Sequence, residues 1–129
     1  MNKEQRPLAI DLHRKSQELE LRYADGNSYR LPSEYLRVYS PSAEVKGHGP
    51  GQEVLQTGKI KVAITDIKPV GHYALQLVFD DGHDTGLYAW DYLYELCVNH
   101  KPRWQDYLDR LAAAGASRDP EVQVVNFQP

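Results

Sequence analysis

Two stretches of this sequence alternate large apolar with polar residues and then run into Asp-Gly. Leu19, Leu21 and Tyr23 alternate with Glu18, Glu20 and Arg22 ahead of Asp25-Gly26. Tyr73, Leu75, Leu77 and Phe79 alternate with Ala74, Gln76, Val78 and Asp80 ahead of Asp81-Gly82. A two-residue period turns one face of an extended chain toward a core. Glycine after aspartate accepts the positive φ that a tight reversal needs. The two motifs therefore point to antiparallel hairpins.

The remaining elements are read around these hairpins. Leu8, Ile10 and Leu12 alternate with Ala9, Asp11 and His13, predicting a strand that precedes the first hairpin. Ser28 to Leu31 returns as a short strand, and Pro32-Ser33-Glu34 opens a helical turn carrying Tyr35, Leu36 and Val38. Ile60, Val62 and Ile64 predict a further strand, Pro69-Val70-Gly71 a turn, and His83 to Leu87 the return strand of the second hairpin. Ala89, Leu93, Leu96 and Cys97 have helical spacing. So do Trp104, Tyr107, Leu108 and Leu111, with Gly115 placed to end that helix. Tyr35-Leu36 and Tyr92-Leu93 each follow an Asp-Gly by about ten residues, a faint internal echo. Two hairpins that each feed a helical turn would produce it, and so would the generic signature of a hairpin.

The segment from Ser40 to Gly58 breaks the pattern. It holds Pro41, Gly47, Gly49, Pro50, Gly51 and Gly58 and few large apolar residues, so a long loop is expected. Its 42–56 stretch is expected to be the most mobile internal segment and a contact surface. Residues 1–6 read as a flexible N-terminus, 7–115 as one domain and 116–129 as a tail in which Val122, Val124 and Val125 can dock as an edge strand. The expected fold is α+β: antiparallel hairpins forming a small sheet, the Gly/Pro-rich loop, and two C-terminal helices on the sheet. One core is expected from Ile10, Leu21, Leu36, Val62, Ile64, Leu75, Leu77, Leu93, Leu96 and Leu108.

Composition narrows the function. In 129 residues, 15 Lys+Arg against 18 Asp+Glu give a net charge of −3, which provides no electrostatic footprint for nucleic acid or an anionic membrane. Lacking an apolar signal core or a membrane-length apolar run, the sequence is expected to be cytoplasmic. The single cysteine, Cys97, lies at an apolar helical position and reads as a buried structural thiol. It excludes an internal disulfide and any multi-cysteine metal site built from this chain alone. Gly58-Lys59 is not a P-loop, because Glu53 stands where the first glycine belongs and Ile60 where the hydroxyl belongs. None of His13, His48, His72, His83 and His100 has an acid two residues later, so a His-x-Asp/Glu iron site is not expected. His48, between Gly47 and Gly49, is a solvated loop histidine or a ligand contact. His83, beside Asp80, Asp81 and Asp84, is a hydrogen-bonded hairpin histidine or a metal ligand.

Three stretches together carry a family resemblance. They are Leu31-Pro32-Ser33-Glu34-Tyr35-Leu36-Arg37, then Ser40-Pro41-Ser42-Ala43-Glu44-Val45-Lys46-Gly47-His48, then the run from Phe79 through Asp81-Gly82-His83 to Leu93. The sequence resembles the gamma-butyrobetaine-hydroxylase-like N-terminal domain over roughly Pro7 to Leu111. In carnitine-biosynthesis dioxygenases that domain precedes the catalytic barrel and resembles a zinc module with a Cys-Pro-Cys-x-x-Cys run and a hairpin histidine. Here the cysteine positions hold Ser40, Ser42 and Val45, and only the histidine position, His83, is kept. The resemblance thus implies vestigial zinc-site positions. No zinc or other cofactor is expected, because serine hydroxyls stay protonated near neutral pH and one histidine cannot hold the ion tightly. Ser40 and Ser42 are expected to hydrogen-bond the backbone around Pro41 instead. The family's company with iron–sulfur carrier ATPases implies a non-catalytic accessory module whose partner is a protein of iron–sulfur assembly or iron metabolism. The alternatives are a partner subunit acting in trans on a 2-oxoglutarate/iron oxygenase and a small metal-binding protein using His48 and His83. The candidate interaction surface is Ser40, Ser42, Glu44, Lys46, His48 and His83, with no catalytic residue assigned.

Overall fold

A computed structural model describes residues 5–122 of the chain. The expected strand at Val124 and Val125, and most of the N-terminus expected to be flexible, lie outside the described residues. The architecture is α+β, built as two units of the same order. The first is β1 (Ala9–His13), β2 (Glu18–Arg22), β3 (Ser28–Pro32) and α1 (Ser33–Val38). A short helix α2 (Ala43–Lys46) lies in the connection. The second unit is β4 (Ile64–Val70), β5 (Ala74–Phe79), β6 (Leu87–Ala89) and α3 (Trp90–Val98), followed by α4 (His100–Ala114). Each unit is an antiparallel three-stranded sheet in sequential order, β1-β2-β3 and β4-β5-β6. The anticipated small sheet is therefore two sheets.

The hairpins form where Asp-Gly predicts them. Gly26 has φ 90° and Gly82 φ 89°, a conformation costly for residues with a Cβ. Leu19 and Leu21 of β2, with Leu75, Leu77 and Phe79 of β5, are buried as their two-residue period requires. Tyr73 is not among them: it lies in the Gly71–Tyr73 turn and is exposed. Both sheets meet α1 and α3 in one core that includes Leu36, Ile64, Leu93 and Leu96. Burying a side chain of this size stabilises the fold by about 1.5–3 kcal/mol. Two tyrosines fasten the units reciprocally. Tyr35 Oη of α1 donates to the Leu96 carbonyl at 2.7 Å, and Tyr88 Oη of β6 donates to the Leu36 carbonyl at 2.5 Å. Cys97 is buried as expected, 3.9 Å from Tyr23 Oη, and burial pushes its thiol up to about 12.

Several elements depart from the expectation. Ile60 is 43% exposed rather than in a strand, because Lys59 and Val62 close a turn and Ile60 N–H donates to Arg118. The strand begins at Ile64 and runs through Pro69 to Val70, so the turn falls later. His83 to Gly86 form no strand, and the return strand is only Leu87–Ala89. The Ser40–Gly58 loop contains the helical turn α2, which Ser42 caps by accepting from Glu44 N–H. Ile10 is only half-buried against the main core. Leu108 instead joins a second cluster around Val38, Tyr107 and Leu111, through which α4 packs on α1. Residues 117–118 hydrogen-bond to Gly58 and Ile60, and Arg118 grips the buried Glu34 with two bonds of 2.7 and 2.8 Å.

Gln17, in the β1–β2 turn, ties the units from an uncommon backbone position, φ 54°. Its carbonyl accepts from Ser33 N–H, and its side-chain oxygen accepts from Ser33 Oγ at 2.7 Å and Ile64 N–H at 2.9 Å. The start of α1 and the start of β4 are therefore held by one residue.

Candidate functional site

The segment that leaves α1 crosses over the second hairpin turn, and their contact is a closed polar cluster. Asp81 Oδ1 accepts from His83 N–H and fixes the turn. Asp81 Oδ2 accepts from Arg37 Nε at 2.9 Å and from Lys59 Nζ at 2.7 Å. Burial works to raise the Asp81 pKa, but these three donors outweigh it and hold the carboxyl at about 2. The turn sends the His83 side chain inward, where it is 2% exposed.

Both ring nitrogens of His83 are engaged. Nδ1 lies 2.9 Å from Glu44 Oε1 and Nε2 lies 2.8 Å from Ser40 Oγ. A carboxylate only accepts, so the proton belongs on Nδ1 and Nε2 accepts from the Ser40 hydroxyl. Burial lowers the His83 pKa and the nearby Arg37 lowers it further, against the pull of Glu44. The ring is thus neutral at neutral pH. Ser42 Oγ sits 2.7 Å from Thr85 Oγ1, and Ser40 Oγ accepts from Ser42 N–H at 3.2 Å. The expected bonding of Ser40 and Ser42 to the backbone around Pro41 is present, with side-chain partners across the turn in addition. Gly86 completes the closure: a Cβ there would lie 2.4 Å from Ser40 Oγ.

Hydroxyl, imidazole and carboxylate in series have the connectivity of a nucleophile, its base and an orienting acid. Access is what they lack. Ser40 is 1% exposed, and its oxygen is already shared among His83, Ser42 N–H and the space beside Gly86. A substrate carbonyl cannot approach without dismantling the cluster. Among the described residues no group of three or more His, Cys, Asp and Glu is placed to hold an ion.

The structure brings together Ser40, Ser42, Glu44 and His83 from the candidate set, while Val45 packs buried one turn beyond. His48 is separate. It is exposed on the loop after α2 and lines an open cleft with Lys46, between that loop and α4. His83 instead has both ring nitrogens hydrogen-bonded, to Ser40 and Glu44. The sequence reading missed Arg37 and Lys59 on Asp81, and the wall of the cleft built by Tyr39, Tyr92, Arg103 and Arg110. The nine tyrosines were a signal for that wall, but their spacing alone does not say which share a surface.

Among the described residues, no helix is long and apolar enough to cross a membrane. Fold and cluster together define a small α+β domain with two β-β-β-α units that share one apolar core and are pinned at its edge by a hydrogen-bonded polar cluster. The chain belongs to the gamma-butyrobetaine hydroxylase-like, N-terminal family, whose model matches residues 10–94. A protein solved in solution by NMR is 55% identical with a TM-score of 0.81, over 96% of this chain and 98% of that one. A second NMR structure is 50% identical with a TM-score of 0.76, over 96% and 93%. A crystal structure of a protein of unknown function from Acidithiobacillus ferrooxidans is 40% identical with a TM-score of 0.62, over 74% of this chain and 97% of that one. No curated protein matches.

Proposed function

We propose that this domain works by binding another protein rather than by catalysis. The observation that carries the reading is the state of its most reactive-looking groups. The Ser40 hydroxyl, both His83 nitrogens and the Ser42 hydroxyl are consumed in holding the segment after α1 onto the second turn. That use makes the cluster a fastener, and what it fastens is an exposed platform: α2 with Glu44 and Lys46, then the loop with His48. The setting we propose is cytoplasmic iron–sulfur assembly or iron metabolism, with an iron–sulfur carrier ATPase as candidate partner. Its support is the domain company of the family, an analogy of context. Capture with the tagged full chain from native cytoplasm tests this. A cluster-assembly ATPase or scaffold is expected among the bound proteins, and its repeated absence sinks the iron–sulfur assignment.

A second reading is favoured by the family match itself, since the family is described by its likeness to the N-terminal part of a hydroxylase. In that reading the chain supplies to a separate oxygenase a module that such enzymes carry in cis. Adding purified chain to a candidate oxygenase with 2-oxoglutarate should then raise turnover, and unchanged turnover removes the reading.

A further inference from the structure

We propose that the cleft between α4 and the loop after α2 is the docking site for an acidic peptide segment of a protein partner. The inference deepens the interaction reading above and rests on it. The cleft has a volume of about 730 Å³, within the range of about 300–1,000 Å³ usual for ligand sites. Its floor is two tyrosine rings carrying three cations. The Arg103 guanidinium lies 5.0 Å from the Tyr39 ring centre and 5.8 Å from that of Tyr92. Arg110 lies 5.8 Å from the Tyr39 ring, and Lys46 Nζ lies 5.0 Å from the Tyr92 ring. Both hydroxyls donate into fixed bonds, Tyr39 to the Arg103 carbonyl and Tyr92 to the Tyr39 carbonyl, and the Tyr39 oxygen also accepts from Arg110 Nη2, so the rings are held in place.

Three like charges around two rings repel one another, and only two are neutralised. Glu95 grips Arg103 through Nε and Nη2, and Asp106 takes Arg110 Nε. Among the described residues, Lys46 has no carboxylate partner, and no acceptor is bound by Arg103 Nη1 or Arg110 Nη1. Glu53 is the one further carboxylate on the lining. The unspent N–H groups and the uncompensated lysine call for carboxylates. The lining also carries apolar side chains, Val38, Val45 and the 52% exposed Val54. Acidic residues next to an apolar one match this mixed lining. The cleft is open along the exposed loop, whereas small-molecule sites enclose most of their ligand. A short stretch of polypeptide suits that shape.

The test uses the ¹⁵N-labelled full chain and the probe peptide acetyl-Leu-Asp-Glu-Leu-Asp-amide, followed by NMR. Saturable shifts are expected at the amides of Lys46, Val54, Tyr92 and Arg103. The amidated probe acetyl-Leu-Asn-Gln-Leu-Asn-amide should bind about tenfold more weakly, and the acidic probe should weaken as salt rises. Lys46→Glu should cost about fivefold, while Lys68→Glu, the same charge change on β4 outside the cleft, should leave affinity unchanged. Absence of saturable shifts, equal binding of both probes, or equal losses in the two variants overturns the proposal. So does sodium acetate reproducing the same shifts at the same concentration, which would mark a small-carboxylate site. If protein capture succeeds equally with Lys46→Glu, the cleft assignment fails while the interaction reading stands.

Discussion

The two Asp-Gly turns are nearly the same object. In the first, Asn27 N–H donates to Asp25 Oδ1, Tyr23 N–H donates to the Asn27 carbonyl, and Gly26 N–H donates to the Tyr23 carbonyl. In the second, His83 N–H donates to Asp81 Oδ1, Phe79 N–H to the His83 carbonyl, and Gly82 N–H to the Phe79 carbonyl. The sequence echo is thus a repeated local structure, and each copy leads through a strand into a helix. What differs is the residue after the glycine and what lies over it. Asn27 is exposed and β3 begins at once. His83 is buried beneath Ser40 and Glu44, and β6 begins only at Leu87. One backbone turn can therefore serve as a plain reversal or as the seat of a polar cluster. The choice lies with the segment that crosses it.

The largest difference expected between the turns is in stability. His83→Ala should lose about 2–4 kcal/mol, because it opens a cavity and leaves the Ser40 hydroxyl buried without its acceptor. Asn27→Ala should lose under about 1 kcal/mol, as an exposed turn residue does. Urea denaturation of both variants measures this, and equal losses would mean that the two turns are energetically alike.

Glycines sharpen the same contrast. Gly86→Ala should cost about 1–3 kcal/mol by forcing a Cβ onto Ser40 Oγ. Gly26→Ala and Gly82→Ala meet no atom within 4 Å, so only their positive φ is strained. They should lose similar amounts, about 1–2 kcal/mol each. Thermal melts of the three variants decide whether crowding is confined to the second turn.

Acid should expose the buried turn next. His83 has its pKa lowered on folding, so the unfolded chain binds more protons as pH falls below 6.5. Stability is full above that value and declines as pH drops toward the folded pKa. His100, also lowered by burial, acts in the same direction. His83→Gln should flatten the decline without abolishing it. A separate fall is expected between about pH 4 and 2, where Asp81 takes up its proton, since its folded pKa of about 2 lies below the ordinary aspartate value of 3.8. Discounted for solvent screening, it amounts to about 1 kcal/mol, and Asp81→Asn should remove it. A pH–stability profile unchanged by both substitutions would show that this turn is not linked to protons.

The smallest effect concerns metal. Melting with and without EDTA should give the same Tm, and elemental analysis of protein purified without chelator should find no stoichiometric zinc. One zinc per chain would mean that the serine positions had been misjudged as ligands.

How far the molecule was legible follows from the distance over which each feature is encoded. Asp25-Gly26 and Asp81-Gly82, the alternation in β2 and β5, and the helical spacing that buries Leu93, Leu96 and Cys97 are local patterns. Backbone sterics and one buried face act on a few consecutive residues, so the sequence alone determined these elements. His83 was also marked locally, as a hairpin histidine in need of a partner. That the partners are Ser40 and Glu44, 43 and 39 residues earlier, was decided by how α1 delivers its following segment across the turn. The same holds for Gln17 on Ile64, 47 residues away, and for Arg118 on Glu34, 84 residues away. Tertiary structure likewise placed Lys46, Arg103 and Arg110 around two tyrosine rings in one cleft. Hydrogen bonds and cation–ring contacts act over a few ångströms in space. Residues far apart in the chain come within that reach only once the core has packed, and no period in the sequence records which of them will meet.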